Sequence, residues 1–351
     1  MVRLFSEGHL VSEPYDALLL VSFGGPEGPA DVMPFLENVL RGRNVPRERM
    51  LEVAAHYQHF GGKSPLNDQN RALLAAVKQE FAAAGIKLPV YWGNRNWHPL
   101  LPDALRQMKQ DGVKRALAFF TSAFSSYSGC RQYRENIAAA QAEVGEGAPQ
   151  VDKLRAFFNH PGFIEPMVEK TRAALSQIPV EQRDKAQLLF TAHSIPLGMA
   201  ATCQYEAQLR EASHLVAAGV GCGDWRLVYQ SRSGPPTQPW LEPDVGAALR
   251  EFAESGGKDV VVVPIGFISD HIEVLFDLDE EAQNIARQIG LNMVRAATVG
   301  THPRFVRMIR ELAQERLGDH PVRPALGDLG PSHDVCPQDC CVYQPRRAGV
   351  P

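Results

Sequence analysis

Short apolar runs recur along the chain, and longer stretches of helical period separate them. The runs are 17–23, 90–92, 116–120, 187–192, 226–229, 260–265 and 293–297, all of strand length. Between them, residues 72–81 set Leu73, Leu74, Val77 and Phe81 at helical spacing. Residues 162–175 do the same with Phe163, Met167, Thr171 and Leu175, and 247–253 and 280–289 follow suit. Strands that alternate with helices need crossover connections, and right-handed crossovers build parallel sheets. The runs fall into two groups, roughly 15–160 and 161–300. The expected fold is α/β, with two similar doubly wound lobes facing a cleft. Ligands in such folds sit beyond the carboxyl ends of strands or between lobes. A helix is expected over 302–317. Residues 1–14 read as a flexible N-terminus, and 318–351 as a tail rich in Gly, Pro and Asp that carries cysteines.

A length of 351 residues suits about two domains. With 36 basic against 40 acidic residues and a formal charge of -4, a bulk electrostatic grip on nucleic acid or an acidic membrane is excluded. No apolar run approaches the ~18 residues of a membrane span, and 1–14 contains no apolar stretch of signal-peptide length. A cytoplasmic protein is expected. In that reducing compartment the six cysteines should not form a disulfide framework.

Four segments concentrate reactive side chains. Val21-Ser22-Phe23-Gly24-Gly25-Pro26-Glu27 sets two glycines after a buried strand, where a backbone can approach a ligand closely. It has neither GxGxxG spacing nor a Walker lysine, and an ordinary strand-to-helix turn reads the same way. Phe190-Thr191-Ala192-His193-Ser194-Ile195-Pro196 ends an apolar strand in a histidine at the ligand edge of the sheet. That histidine is either a base or metal ligand, or a core residue satisfied by backbone. Residues 264–281 carry Glu273, Asp277 and Glu281 at i, i+4 and i+8, a single acidic stripe on an α-helix. Such a stripe repels itself unless something cationic compensates, and hard oxygen ligands suit a divalent cation in transit. A capping box, Asp270-x-x-Glu273, and a solvated acidic face are the alternatives. The metal reading gains if the His193 strand shares a sheet with this segment. The fourth segment, 123–136, sets Tyr127, Tyr133, Arg131 and Arg134 among hydroxyls, and Arg41 and Arg43 add guanidinium groups suited to carboxylates.

Taken together, FGGPEGPADVMPFLENVLRGR, HYQHFGGKSPLNDQN, FTAHSIP, SGPPTQPWLEP and VPIGFISDHIEVLFDLDEE resemble the ferrochelatase family over about 16–317. The resemblance implies a class II chelatase-like fold and an enzyme, a lyase of heme biosynthesis, that inserts ferrous iron into a porphyrin. It implies that His193 and Glu273 are the catalytic and metal-handling pair, and that Asp277 and Glu281 form the path leading iron inward. Asp270 and His271 match their immediate neighbours. It implies porphyrin contacts at Ser64 and Tyr133, and near Phe23, Arg43, His56, Tyr57 and Trp240. Some bacterial relatives have a tyrosine before the first glycine, able to ligate product iron. Phe23 stands there in this chain, so that ligation is excluded. The short stretch 38–50 carries Arg41, Arg43, Arg47 and Arg49 in place of the long apolar lip of animal-type relatives. It suits coproporphyrin III, giving Fe-coproporphyrin III. SFGGPEGP and SSYSGCRQYREN are also similar to actinobacterial-type ferrochelatases, which use that porphyrin. Protoporphyrin IX is the alternative substrate, and a non-catalytic tetrapyrrole carrier the alternative function. No stable membrane insertion is expected, and a downstream heme-synthesis enzyme is the expected product acceptor.

Cys336, Cys340 and Cys341 supply three thiolates. Some family members hold a [2Fe–2S] cluster with three C-terminal cysteines and one from the body of the fold, and Cys130 matches that fourth ligand. Structural zinc and idle thiols are the alternatives. Cys203 and Cys222 show no partner pattern.

Overall fold

The computed structural model describes residues 14–42, 45–235, 237–318 and 322–343. The expected flexible N-terminus therefore lies almost wholly outside the described residues, as does Arg43. Two parallel sheets form the frame. The first contains β1 (Ala17–Ser22), β2 (Val90–Asn94), β3 (Arg115–Phe120) and β4 (Gln150–Lys153), in the order β2-β1-β3-β4. The second contains β5 (Gln187–His193), β6 (Trp225–Gln230), β7 (Asp259–Val263) and β8 (Asn292–Arg295), in the order β6-β5-β7-β8. The two lobes thus repeat one topology, as expected for an α/β chain of two similar doubly wound halves.

The central strands β1, β3, β5 and β7 are almost wholly buried because both faces of each sheet are covered there. Along β1, Ala17, Leu19 and Val21 pack with the helices Leu101–Gln110 and Gln132–Val144. Leu18 and Leu20, on the opposite face, join another cluster. In the second lobe, Leu189, Val260 and Val262 face the helix Val245–Glu254, while Leu188, Phe190, Val261 and Val263 face the other way. The inward faces of both sheets meet in one cluster. Phe119 stacks on Phe157 at 5.1 Å, and Phe163 and Phe305 pack edge-on against Phe157. The lobes are therefore joined by core.

The last helix, Pro303–Leu317, matches the expected 302–317 closely. His302 caps it, with Nδ1 accepting from the Arg304 backbone N–H. Phe305, Met308, Ile309 and Leu312 form its buried stripe. It packs on both Pro161–Leu175 and Leu66–Ala83. Strand β4 had no counterpart among the apolar runs. It is a short edge strand whose Asp152 and Lys153 are committed elsewhere: Asp152 accepts from Tyr15 and Arg115, and Lys153 donates to the His333 carbonyl.

The tail from Val322 to Tyr343 has no helix or strand and is held by hydrogen bonds to its own backbone. Asn159 donates to the carbonyls of Leu326 and Gly330, and the Leu326 N–H donates to the Asn159 carbonyl. Arg131 donates to the carbonyls of Gln338 and Cys340. From the second lobe, Glu211 accepts from the N–H groups of Asp328 and Leu329, and Gln238 donates to the Tyr343 hydroxyl. The tail is a strap across both lobes. Among the described residues no helix is long and apolar enough to cross a membrane.

One buried ion pair anchors this arrangement. Arg155 and Glu315, 1% and 2% exposed, meet through two bonds of 2.7 and 2.9 Å, and Arg155 also donates to the Pro324 carbonyl. Removing one partner strands a buried charge. Glu315→Ala is expected to cost about 3–5 kcal/mol in denaturant unfolding; a loss below about 1 kcal/mol contradicts the assignment.

Candidate functional site

His193 ends β5, the strand paired to both β6 and β7. Its Nδ1 lies 2.5 Å from the Ser194 carbonyl oxygen. A carbonyl only accepts, so Nδ1 carries the ring proton and Nε2 presents a lone pair. Nε2 lies 3.8 Å from Glu273 Oε2. The Tyr205 hydroxyl donates to the His193 carbonyl, and the Ser194 hydroxyl to that of Leu241, which holds the strand end. Ring and carboxylate are 32% and 50% exposed, so neither is a satisfied core group.

Glu273 stands in the turn Ile272–Val274, shortly after β7. The His193 strand and the acidic segment therefore do belong to one sheet. His271, buried beside Glu273 with its Nδ1 4.0 Å from Oε2, is held below the usual imidazole range by burial, with Glu273 pulling the other way. Because both groups come from the second lobe, opening the cleft does not by itself part them. The 3.8 Å between them is narrower than the about 7 Å that two van der Waals contacts to an intervening planar ring would need.

The acidic stripe does not lie on a simple α-helix. Residues Leu275–Ala282 form a π-helix, continued by the α-helix Gln283–Gln288. The wider turn sorts the carboxylates. Arg295 takes Asp270 and Asp279, and His59 takes Glu280 at 2.7 Å. Among the described residues no lysine or arginine pairs with Glu273, Asp277 or Glu281. Asp277 accepts from the Ser231 hydroxyl and the Gln230 amide. Burial raises its pKa to about 7 against the Ser231 bond, and the charges of Glu273 and Glu281 add to the rise. Glu281 is raised as well, by burial. The stripe relieves its own repulsion by holding a proton near neutrality.

The other expected contacts divide. His56 stacks on Phe276 at 3.8 Å, bringing the helix Arg47–His59 against the π-turn. Tyr57, on the same helix, has its phenol raised by burial and by Glu273. Trp240 pairs by a β-bridge with Pro196, three residues from His193, and its buried Nε1 has no partner. Phe23 is partly exposed and packs edge-on to Phe35. Tyr133 is buried against Phe120. Ser64 is buried beneath Gly25, where an added Cβ would sit 2.7 Å from Ser64 Cβ. Sequence reasoning missed Arg95, which follows β2. Its guanidinium lies 4.5 Å from the Tyr133 ring centroid and 5.6 Å from that of Phe23, and it donates to Asn136.

The four singled-out cysteines converge. Cys130 sits in a π-turn, Tyr127–Arg131, capped by Ser126. Its thiol shares a hydrogen bond with Cys336, which lowers Cys336 to about 4, helped by Lys153, His333 and Arg134; Cys130 is raised by the same bond and by burial. The Sγ atoms of Cys340 and Cys341 lie 3.6 Å apart, and burial raises Cys341 to about 12. All these thiols are free. His333, also missed, brings Nε2 to 3.7 Å from Cys340 Sγ. Cys203 lies near enough to Cys340 and Cys341 to feel their charges, whereas Cys222 bonds to Ala186 and Asp224 carbonyls.

Comparison with known proteins places this geometry. The ferrochelatase family model matches residues 15–317. A ferrochelatase of Rhodopirellula baltica is 64% identical over 338 residues, 96% of each chain. A coproporphyrin III ferrochelatase of Streptomyces coelicolor is 53% identical over 364 residues, 97% of this chain and 96% of its own. Among solved structures, SirB from Bacillus subtilis with Fe3+ superposes with a TM-score of 0.54 at 13% identity, covering 86% of this chain and 97% of its own. That likeness supports the class II chelatase-like fold alone. The chain belongs to the ferrochelatase family, the heme-biosynthesis lyases that insert ferrous iron into a porphyrin.

Proposed function

We propose that the porphyrin is coproporphyrin III and the product Fe-coproporphyrin III, formed in the cytoplasm and passed to a later heme-synthesis enzyme. The names of relatives at about half identity support the substrate. So does the short, arginine-bearing stretch before the helix Arg47–His59. The observation that carries the catalytic reading is His193 Nε2, its lone pair fixed by the Nδ1 bond, 3.8 Å from Glu273.

The free-base porphyrin gives up two pyrrole protons as Fe2+ enters, and the metal takes all four ring nitrogens. His193 Nε2 is the proposed base for a pyrrole proton. Glu273 offers a hard oxygen to the incoming cation or to the second proton. Asp277 and Glu281 extend that path, and Asp277, poised near neutrality, exchanges a proton as a cation passes. Binding the ring bent exposes nitrogen lone pairs on one face, a use of remote binding energy. Phe23, His56, Tyr57, Trp240, Tyr133 and Ser64 belong to the proposed porphyrin contacts.

The four converging thiols also fit a [2Fe–2S] cluster held by Cys130, Cys336, Cys340 and Cys341. Cys130 and Cys336 are within hydrogen-bond reach, and Cys340 and Cys341 are 3.6 Å apart. Such a cluster supplies one-electron chemistry and a covalent tie. These cysteines lie outside the His193 and Glu273 segments, and no step of insertion is assigned to it.

Anaerobic insertion of Fe2+ is expected to run about tenfold or more faster with coproporphyrin III than with protoporphyrin IX, the margin of one charge-assisted carboxylate contact. Equal rates overturn the substrate. His193→Ala should lower insertion by about 10²–10⁴-fold while porphyrin binding, read by fluorescence quenching, persists; full activity removes the proposed base. Asp277 holds its proton to about pH 7 when folded but releases it near pH 4 when unfolded. Between those values the native state binds more protons, so stability falls as pH rises. Asp277→Asn should abolish that fall, worth on the order of 1–3 kcal/mol above pH 7, in paired unfolding curves at pH 5 and 8. Anaerobically purified protein should show sulfide-to-iron bands that Cys130→Ser removes; a featureless visible spectrum of the parent protein rejects the cluster.

A further inference from the structure

The strap carries a donor that the four-cysteine reading leaves unused. His333 Nε2 and the Sγ atoms of Cys336 and Cys340 all lie within 4.8 Å of one another. The spacing His-x2-Cys-x3-Cys puts one nitrogen and two sulfurs on a single loop, a donor set that suits zinc or another borderline divalent ion. His333 is exposed, yet its neighbourhood is fixed on several sides. Lys153 donates to the His333 carbonyl at 3.0 Å, Arg323 donates to the Ser332 carbonyl at 2.7 Å, and Arg323 also pairs with Asp334 at 3.3 Å. On the far side, the Cys340 N–H closes a turn onto the Pro337 carbonyl, and Arg131 holds the Cys340 carbonyl at 3.0 Å. His333 Nε2 lies 3.7 Å from Cys340 Sγ, turned toward the thiol rather than out to solvent. Lys153 and Arg131 of the first lobe, with Arg323 and Pro337 of the tail itself, thus fix the backbone that carries the three donors.

We propose that His333, Cys336 and Cys340 bind a single divalent first-row transition-metal ion, zinc or ferrous iron, when no cluster occupies the cysteines. His333 supplies the nitrogen ligand, Cys336 and Cys340 supply two thiolates, and the exposed side leaves a fourth position to water. Two thiolates and a neutral imidazole balance the charge of a divalent cation. The proposal does not rest on the cluster reading. The two occupants exclude one another, because both need Cys336 and Cys340.

Cobalt(II) is the probe. Full-length protein freed of iron by chelator under anaerobic, reducing conditions is titrated with Co2+ and followed by absorption. Thiolate-to-cobalt charge transfer reports on the cysteines and not on the His193 and Glu273 site, which offers no sulfur, and the cysteine variants then locate it. The expected result is a charge-transfer band at one equivalent, together with the intense visible bands of tetrahedral cobalt. His333→Ala, at an exposed position whose backbone bond to Lys153 is kept, should weaken binding by about tenfold or more. Cys340→Ser should abolish the band, and His193→Ala and Cys222→Ser should leave it unchanged. No charge-transfer band, or equal affinity in His333→Ala, overturns the proposal. So does a four-sulfur spectrum lost equally with Cys130→Ser and Cys341→Ser. The cluster reading stands or falls separately, on the spectrum of protein purified with its iron retained.

Discussion

The inner faces of the two sheets share one apolar core, and the remaining architecture follows from it. Phe119 and Phe157 of the first lobe meet Phe163, Phe190 and Phe305 in a single cluster. Burial of aromatic side chains on this scale, at about 1.5–3 kcal/mol each, outweighs any individual polar link between the lobes. The carboxyl edges of both sheets are consequently fixed with respect to each other. From the first lobe, His56, His59 and Gln69 then reach the segment after β7. Gln69 exchanges two hydrogen bonds with the backbone of Asp270 at 2.9 and 3.0 Å. His193 and Glu273 stand at the carboxyl edge of the second sheet, and residues of the first lobe pack over it.

At that edge, charge is sorted by geometry. Six acidic groups fall within twelve residues, yet they meet different fates. Arg295 reaches Asp270 and Asp279 and His59 reaches Glu280, whereas Glu273, just before the π-helix, and Asp277 and Glu281 within it pair with no lysine or arginine among the described residues. A uniform α-helix would have set one continuous stripe. The wider coil gives each carboxylate its own environment, and burial then decides which one stays protonated.

The legible part of the fold was the part written in apolar periodicity. β1, β3, β5 and β7 are buried on both faces and read as unbroken apolar runs, and the last helix was found within a residue. β4 was invisible because an edge strand of four residues has no core face to advertise. Within the site, His193 and Glu273 were ambiguous alone, since a strand-end histidine and an acidic stripe each have an ordinary structural reading, and it was the family resemblance of their segments that singled them out. Arg95 and His333 did not stand out. Each draws its significance from a neighbour far away in sequence, Tyr133 and Cys340 being reached only through the fold. The π-helix was equally hidden, since spacing of i and i+4 fits either coil until hydrogen bonding selects one.

The tail shows the same limit most clearly. Its composition is that of a chain unable to bury a core, and its own bonds are few: Cys340 N–H to the Pro337 carbonyl, and Arg323 to Ser332 and Asp334. Its order comes from donors and acceptors elsewhere: Asn159, Lys153, Arg131, Glu211 and Gln238 each bond to it. These partners lie in both lobes, so the strap spans the shared core from outside. Tyr343, the last of its described residues, packs beside Gly198, five residues beyond His193. The strap and the turn after His193 are thus joined by contacts, since Gln238 bonds to Tyr343 and the Pro239 carbonyl accepts from the Leu197 N–H. Cys203, whose thiol donates to the Met199 carbonyl, completes the contact between the cysteine-rich loop and that same turn.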